Sequence, residues 1–174
     1  MHYFAYGSNM CAARLLARVA TGKALGHARL GNHALYCDKR GADNSAKFTI
    51  APLADSEVHG VLFQLEAAAR PILDGFEGPG YVAQEVEVNI GNKPQPALTY
   101  LALPEYRDPG LLAFDWYLAF AHAGAQAYKL PDHWVAKLKD WPGQPDPITA
   151  RAQLNRSILA GAQPPLEQQR HWPC

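Results

Sequence analysis

Residues Val82 to Leu103 limit the possible folds more than any other stretch. Val86, Val88 and Ile90 alternate with Glu87 and Asn89, a period of two that puts one face in a core and the other in water. Gly91 to Pro96 supplies turn residues, and Ala97 to Leu103 returns as a second strand, so the segment reads as an antiparallel hairpin. A hairpin cannot bury its apolar face alone, and more strands are needed beside it. They are available upstream. Tyr3 to Tyr6 reads as a short buried strand. Lys23 to Cys37 is strand-like and broken at Gly26 and Gly31. Phe48 to Ala51 is closed by Pro52, and Val58 to Leu65 carries Val61, Phe63 and Leu65 on one face.

Helical signals take over later. Glu66 to Leu73 has helix-favouring composition with three consecutive alanines and runs into the turn-rich DGFEGPG, Asp74 to Gly80. Leu112, Trp116 and Phe120 recur at spacing four in a segment from about 112 to 124. Pro131 opens a helix carrying Trp134, Val135 and Leu138. With strands in the first hundred residues and helices after them, the class is α+β: a mainly antiparallel sheet or small barrel with helices packed on it. Residues 1–141 form the domain. Residues 142–174 are an extension punctuated by Pro142, Gly143, Pro145 and Pro147, with one short helix over Thr149 to Leu159. Its last dozen residues, rich in Pro and Gln, are expected to lie loosely on the surface.

Charge narrows the partners. The chain carries 16 basic and 16 acidic residues, so it lacks the basic excess of a nucleic-acid or membrane-surface protein. No stretch reaches the roughly 18 unbroken apolar residues of a membrane span, and there is no secretory leader pattern at the N-terminus. Cys11, Cys37 and Cys174 are odd in number and widely spaced, as free thiols in a reducing compartment are, so a cytoplasmic location is expected. A small-molecule partner is the expectation, with the protein a monomer or homodimer.

Two segments can carry chemistry. In HYFAYGSNM, His2 to Met10, a strand breaks into a polar turn just before a helix with Leu15, Leu16 and Val19 on its inner face. Gly7 permits dihedrals closed to other residues and lets a ligand approach the backbone. Unpartnered amides at a helix start suit a carboxylate or a developing oxyanion. The same residues also suit an ordinary turn in which Asn9 caps the helix. In LDGFEGPGY, Glu77 lies between Gly75 and Gly78 in a segment that cannot be a regular helix, flanked by Phe76 and Tyr81. Apolar surroundings raise a carboxyl pKa and suit a general base, although a solvated turn glutamate reads the same way.

Other readings have less support. Ser8 lacks the G-x-S-x-G form of a hydrolase elbow, and no histidine is marked out as its partner. Cys11 lies in the first turn of a helix, where a thiolate is favoured, but it and Cys37 also suit small buried thiols. His27, His33 and Cys37 are too loosely spaced for structural zinc, and no nucleotide loop is present. No metal or cofactor is expected.

The order YFAYGSN, then LDGFEG, then Tyr81 leading into a valine-rich strand resembles the γ-glutamylcyclotransferase family, the AIG2-like superfamily. SAKFTIAP, Ser45 to Pro52, resembles its S-x-x-A-T-I-x-P segment, with Phe48 where a small residue is common. Val58-His-Gly-Val-Leu-Phe resembles its V-x-G-V-x-[YW] strand. Tyr117, Gly124-Ala125 and Leu130-Pro131 resemble the spacing of its later helices. The resemblance covers about Tyr3 to Leu138.

It implies a small β-barrel with flanking helices and a cyclisation of a γ-glutamyl amide to 5-oxoproline with release of an amine or amino acid. It puts the family's catalytic glutamate at Glu77. The substrate-binding residues fall at Tyr3, Phe4, Ala5, Tyr6, Gly7, Ser8 and Asn9, with Tyr81 beside the glutamate to orient it or the substrate. Glutathione-specific relatives carry Y-G-S-L and γ-glutamylamine enzymes Y-G-T-L, so Tyr6-Gly7-Ser8-Asn9 is closer to the general γ-glutamyl amino acid branch. Two alternatives share the fold: an acyl-exchanging or deprotecting enzyme acting on a γ-glutamylated metabolite, and a non-catalytic binding protein.

Overall fold

The computed structural model describes residues 1–161 of the chain. Five strands close a barrel in the order β1-β3-β2-β4-β5: β1 (His2–Ala5), β2 (Lys23–Arg40), β3 (Ala46–Gln64), β4 (Tyr81–Ile90) and β5 (Lys93–Ala102). Neighbours pair antiparallel except at the seam, where β1 meets β5 in parallel through Tyr3 and Leu98. The fold is α+β, a barrel with helices against it. The hairpin read from the alternation is β4–β5, with Val82 opposite Leu101 and Ile90 opposite Lys93. Its turn is tighter than expected: Gly91, at φ 58°, takes the left-handed conformation that glycine adopts freely, and β5 begins two residues later.

The short upstream strands are joined. Glycine and proline bend β2 and β3 without ending them. The β2–β3 register shifts between Ala24 and Gly26, Gly31 and His33, and Cys37 and Lys39. Gly26 takes φ 126° at one shift, and Asn32 (φ 53°) and Asp55 (φ 58°) are left-handed at the next. These are bulges, which increase twist and let long strands curl into a barrel. Pro52 sits in an exposed part of β3, where its missing N–H disturbs the ladder least.

The helices are α1 (Ala12–Val19), α2 (Ala69–Glu77), α3 (Asp115–Ala127), α4 (Asp132–Lys139) and α5 (Thr149–Leu159); two-residue strands β6 (Ala113–Phe114) and β7 (Gly143–Gln144) pair in parallel. α3 starts later than its periodicity suggested, leaving Leu112 outside and exposed. It is apolar nearly all round, with Trp116, Tyr117, Phe120, Ala121 and Ala125 buried. It crosses the turn after β1 closely: a β-carbon on Gly124 would lie 2.5 Å from the Met10 carbonyl carbon, so only glycine fits.

α5 occupies the expected residues and is fixed to the body. Arg151 donates to Asp146 at 2.6 and 2.7 Å, and the indole of Trp116 donates to the same carboxylate at 2.7 Å, all buried. The tail expected to lie loosely on the surface, and Cys174, are outside the described residues. Among the described residues, no helix is long and apolar enough to cross a membrane.

Candidate functional site

The site forms where two distant segments meet at the barrel end. After Ala5 the chain makes a single 3-10 turn, Ser8–Met10, before α1. The Gly7 and Ser8 carbonyls accept from the amides of Met10 and Cys11. Among the described residues, no backbone hydrogen bond outside the regular elements uses the amides of Gly7, Ser8 or Asn9. Such amides are the orphan donors of a helix start. Gly7 has a φ of −120°, outside the left-handed region, and an added β-carbon would press on the Tyr117 hydroxyl at 3.2 Å.

Glu77 comes from the other side, and here the sequence expectation fails. α2 continues through Gly75 and ends on Glu77, with Gly78 (φ 69°) stopping it. A glycine inside a helix costs about 1 kcal/mol relative to alanine, which burial of Leu73 and Phe76 on the inner face offsets. Ending a regular helix fixes the backbone of Glu77 more firmly than a loose turn would.

Asn9 does not cap α1, whose N-cap is Cys11. Its carboxamide joins the two segments. The Asn9 Nδ2 group donates to Glu77 Oε1 at 3.1 Å and to the Tyr3 hydroxyl at 2.9 Å. Its Oδ1 accepts from Arg18 Nη1 at 3.1 Å, and that nitrogen lies 3.8 Å from Glu77 Oε1. Arg18 is 4% exposed and stacks over the Phe76 ring at 4.7 Å.

Burial pushes the Glu77 carboxyl above its ordinary value; Arg18, Lys39, Arg14 and the Asn9 bond oppose that rise without cancelling it. The side chain keeps 15% exposure, enough to reach a ligand.

Most of the expected site residues border one cavity: Tyr3, Tyr6, Gly7, Ser8, Asn9, Glu77 and Tyr81. Phe4 and Ala5 do not. Strand alternation turns Phe4 into the core against Gly60, where a β-carbon would meet the Phe4 ring at 2.6 Å. Tyr81 does not orient Glu77, because its hydroxyl donates to the Phe48 carbonyl at 2.5 Å.

Sequence reasoning missed Phe48, Tyr100 and Tyr117 as walls of the cavity. The Phe48 amide donates to the Tyr117 hydroxyl at 2.8 Å, Tyr6 donates to the Tyr100 carbonyl, and Tyr100 donates to Asp74 at 2.6 Å. Burial holds the hydroxyls of Tyr3, Tyr6, Tyr81, Tyr100 and Tyr117 above their ordinary value, so the wall is neutral near pH 7.

The buried Arg14 and Arg18 were also missed. Their signal was spacing four on the face of α1 that carries Leu15, in a helix with no acidic residue.

The weaker candidates lie elsewhere or are already engaged. Ser8 Oγ accepts from Arg14 Nε at 3.1 Å, and no histidine borders the cavity. Cys11 and Cys37 are free thiols, and burial pushes Cys37 up to about 12, far from a thiolate at neutral pH. His33 contacts its neighbour's carbonyl at Gly31, while His27 pairs with His59. Among the described residues, no group of three or more His, Cys, Asp or Glu is arranged to hold a metal ion.

The comparisons with known proteins give the family and the fold. A family model described as gamma-glutamyl cyclotransferase, AIG2-like, matches residues 3–118, a span that contains both the turn and Glu77. A solved structure of a gamma-glutamyl cyclotransferase superimposes with a TM-score of 0.78 at 25% identity, covering 92% of this chain and 99% of that one. An uncharacterized protein from Homo sapiens gives 0.79 at 24% identity, covering 91% and 97%. YkqA from Bacillus subtilis gives 0.68 at 24%, covering 83% of this chain and 56% of that one. The last two speak to the fold alone. No curated protein matches the chain.

Proposed function

The chain belongs to the gamma-glutamyl cyclotransferase, AIG2-like family, and from that premise we propose that it cyclises a γ-glutamyl amide to 5-oxoproline and releases an amine or amino acid. The observation that carries the proposal is the Asn9–Glu77 hydrogen bond. It joins residues 68 apart in sequence, so that a buried carboxyl and a turn with spare amides border the same cavity.

The substrate's α-amine and γ-carbonyl are already in one molecule, which removes much of the entropic barrier to bringing them together. In the proposed reaction the Glu77 carboxylate takes a proton from the α-ammonium. The freed nitrogen attacks the γ-carbonyl carbon and a five-membered ring closes. Amides of the turn at Gly7 to Asn9 suit the oxyanion that develops, or the substrate carboxylate. Protonated Glu77 then returns its proton to the leaving nitrogen as the amide C–N bond breaks, and the ring nitrogen gives its extra proton to the departing amine, which leaves as an ammonium. A carboxyl above its ordinary value is suited to both steps, since its proton affinity is closer to neutral pH. Asn9 keeps one Glu77 oxygen fixed while the other is left to the substrate. The hydroxyls of Tyr6, Tyr81 and Tyr100 donate to backbone carbonyls and to Asp74, and those of Tyr3 and Tyr117 accept from Asn9 and the Phe48 amide. The substrate is a small molecule, and the free thiols Cys11 and Cys37 among the described residues suit a reducing, cytoplasmic setting.

A panel of γ-glutamyl amino acids and γ-glutamyl amines, assayed by mass spectrometry, tests the proposal. It predicts 5-oxoproline and free amine in equal amounts from at least one member. Glutamate in place of 5-oxoproline would favour the deprotecting alternative. Tight binding with no turnover of any member would favour a binding protein. Either result would overturn the cyclisation.

A further inference from the structure

We propose that α5, which lies beyond the family-matched residues 3–118, positions the turn at the cavity through Arg14, and that Asn155 is a positioning residue for it. The inference rests on reading that turn as the element that holds substrate.

Arg14 lies on the inner face of α1 and is 3% exposed. Its Nε donates to Ser8 Oγ at 3.1 Å, and Ser8 borders the cavity. Its Nη1 donates to Asn155 Oδ1 at 2.8 Å, reaching across 141 residues of sequence. The guanidinium lies over the rings of Phe120 at 4.6 Å and Trp116 at 5.4 Å, so α3 sets its plane.

The Asn155 carboxamide has one favoured orientation. Its Nδ2 donates to the Arg151 carbonyl at 2.9 Å, which leaves the oxygen facing Arg14. Arg151 is held in turn by the buried Asp146, which also receives the Trp116 indole. The chain of bonds therefore runs from Asp146 through Arg151, Asn155 and Arg14 to Ser8, with every member buried.

A buried guanidinium that loses an acceptor turns toward another, because an unsatisfied charged donor is costly. When Arg14 turns, Ser8 loses the bond that holds its side chain beside the cavity. None of these hydrogen bonds ends on Glu77 Oε1, and Arg14 acts on that carboxyl through its charge, which a turned side chain keeps nearby, so the effect falls on how firmly the turn grips a substrate more than on proton transfer.

The test uses the full chain with Asn155→Ala, Asn155→Leu, which keeps the volume but has no acceptor, and Asn155→Asp, which keeps the acceptor. Hydrogen exchange over residues 6–11 is the first readout, with β4–β5 as internal control. Asn155→Ala is expected to speed exchange in the turn and leave the hairpin unchanged, and Asn155→Asp to restore slow exchange. On a γ-glutamyl compound that the wild type turns over, KM should rise about tenfold with kcat within about twofold, the scale of one lost charged hydrogen bond in binding. If Asn155→Ala does not fold, Asn155→Leu provides the same comparison. Unchanged turn exchange in the variant that folds overturns the inference, whether or not the protein turns over γ-glutamyl compounds. Absence of turnover in the wild type overturns the proposed function instead.

Discussion

The Glu77 cluster and the His27–His59 cluster both place titratable side chains in the barrel away from water, and they differ in whether they have the form of a reactive site. At one, Glu77 sits among Asn9, Tyr3 and Arg18 beside the turn. At the other, His27 Nε2 and His59 Nδ1 lie 2.8 Å apart, with His59 packed edge-on to His133 and Trp134. Burial favours the neutral form in both, raising Glu77 and lowering His27 and His59.

They differ in what opposes burial and in what they face. Around Glu77, Arg18, Lys39 and Arg14 pull toward the charged form, and the carboxyl borders a cavity next to spare amides. Glu57, 3.0 Å from His59 Nε2, likewise supports the charged form of the histidine pair, but that pair does not border the cavity. A buried ionisable group becomes chemistry when its charged form is partly supported and it faces a space that a substrate can fill.

The comparison can be broken most forcefully at Asn9. Asn9→Ala removes a bond to each side of the site, and a hydrogen bond to a charged group is worth about 1.5–3 kcal/mol, so kcat/KM should fall about tenfold to a hundredfold. A fall no larger than that of His59→Gln would show that the two clusters do not differ as argued.

A smaller effect tests the charge balance. The acid limb of the kcat/KM profile should lie above the ordinary carboxylate value of 4.5, because Glu77 must be deprotonated to act as base. Arg18→Ala removes an attraction for the charged form and should move that limb further up. A downward move would contradict the role given to Arg18.

The smallest effect belongs to the histidines. Their folded values lie below the ordinary 6.5, so the unfolded chain binds more protons as pH falls through that value. The stability they contribute is complete above 6.5 and is lost as pH drops through it. Tm measured from pH 7.5 to 5.5 should fall less steeply in His59→Gln than in the wild type, with 5-oxoproline release unchanged. Glu77 has the opposite sign: its raised value means that stability is lost as pH rises above 4.5.

The Glu77 side of this contrast was legible in the sequence, and the His27–His59 pair was not. Period-two alternation marked β4–β5, and the positions of Glu77 and the 6–9 turn emerged as a pair through the family resemblance. The arginines of α1 were legible only as a weak signal, their spacing of four on the Leu15 face of a helix without acidic residues, and charged residues are ordinarily solvated, so their reach inward to Asn9 and Asn155 was not. The walls Phe48 and Tyr100 come from β3 and β5, whose meeting with β1 depends on barrel closure and not on local pattern. Gly75 misled because composition treats glycine as a break, whereas the Leu73 and Phe76 contacts carry the helix through it. Gly26 and Gly31 misled in the same way, since a bulge and a strand end share the same residues.

The central claim is that proton transfer at Glu77 drives ring closure on a substrate held by the turn. The most direct measurement compares 5-oxoproline release by wild type and Glu77→Gln on the same γ-glutamyl compound, with binding followed by calorimetry. Glutamine keeps the shape and the Asn9 contact but cannot exchange a proton, so the account predicts ligand binding within a few-fold and a rate lower by about 10²–10⁴. Release at the wild-type rate by Glu77→Gln would contradict it.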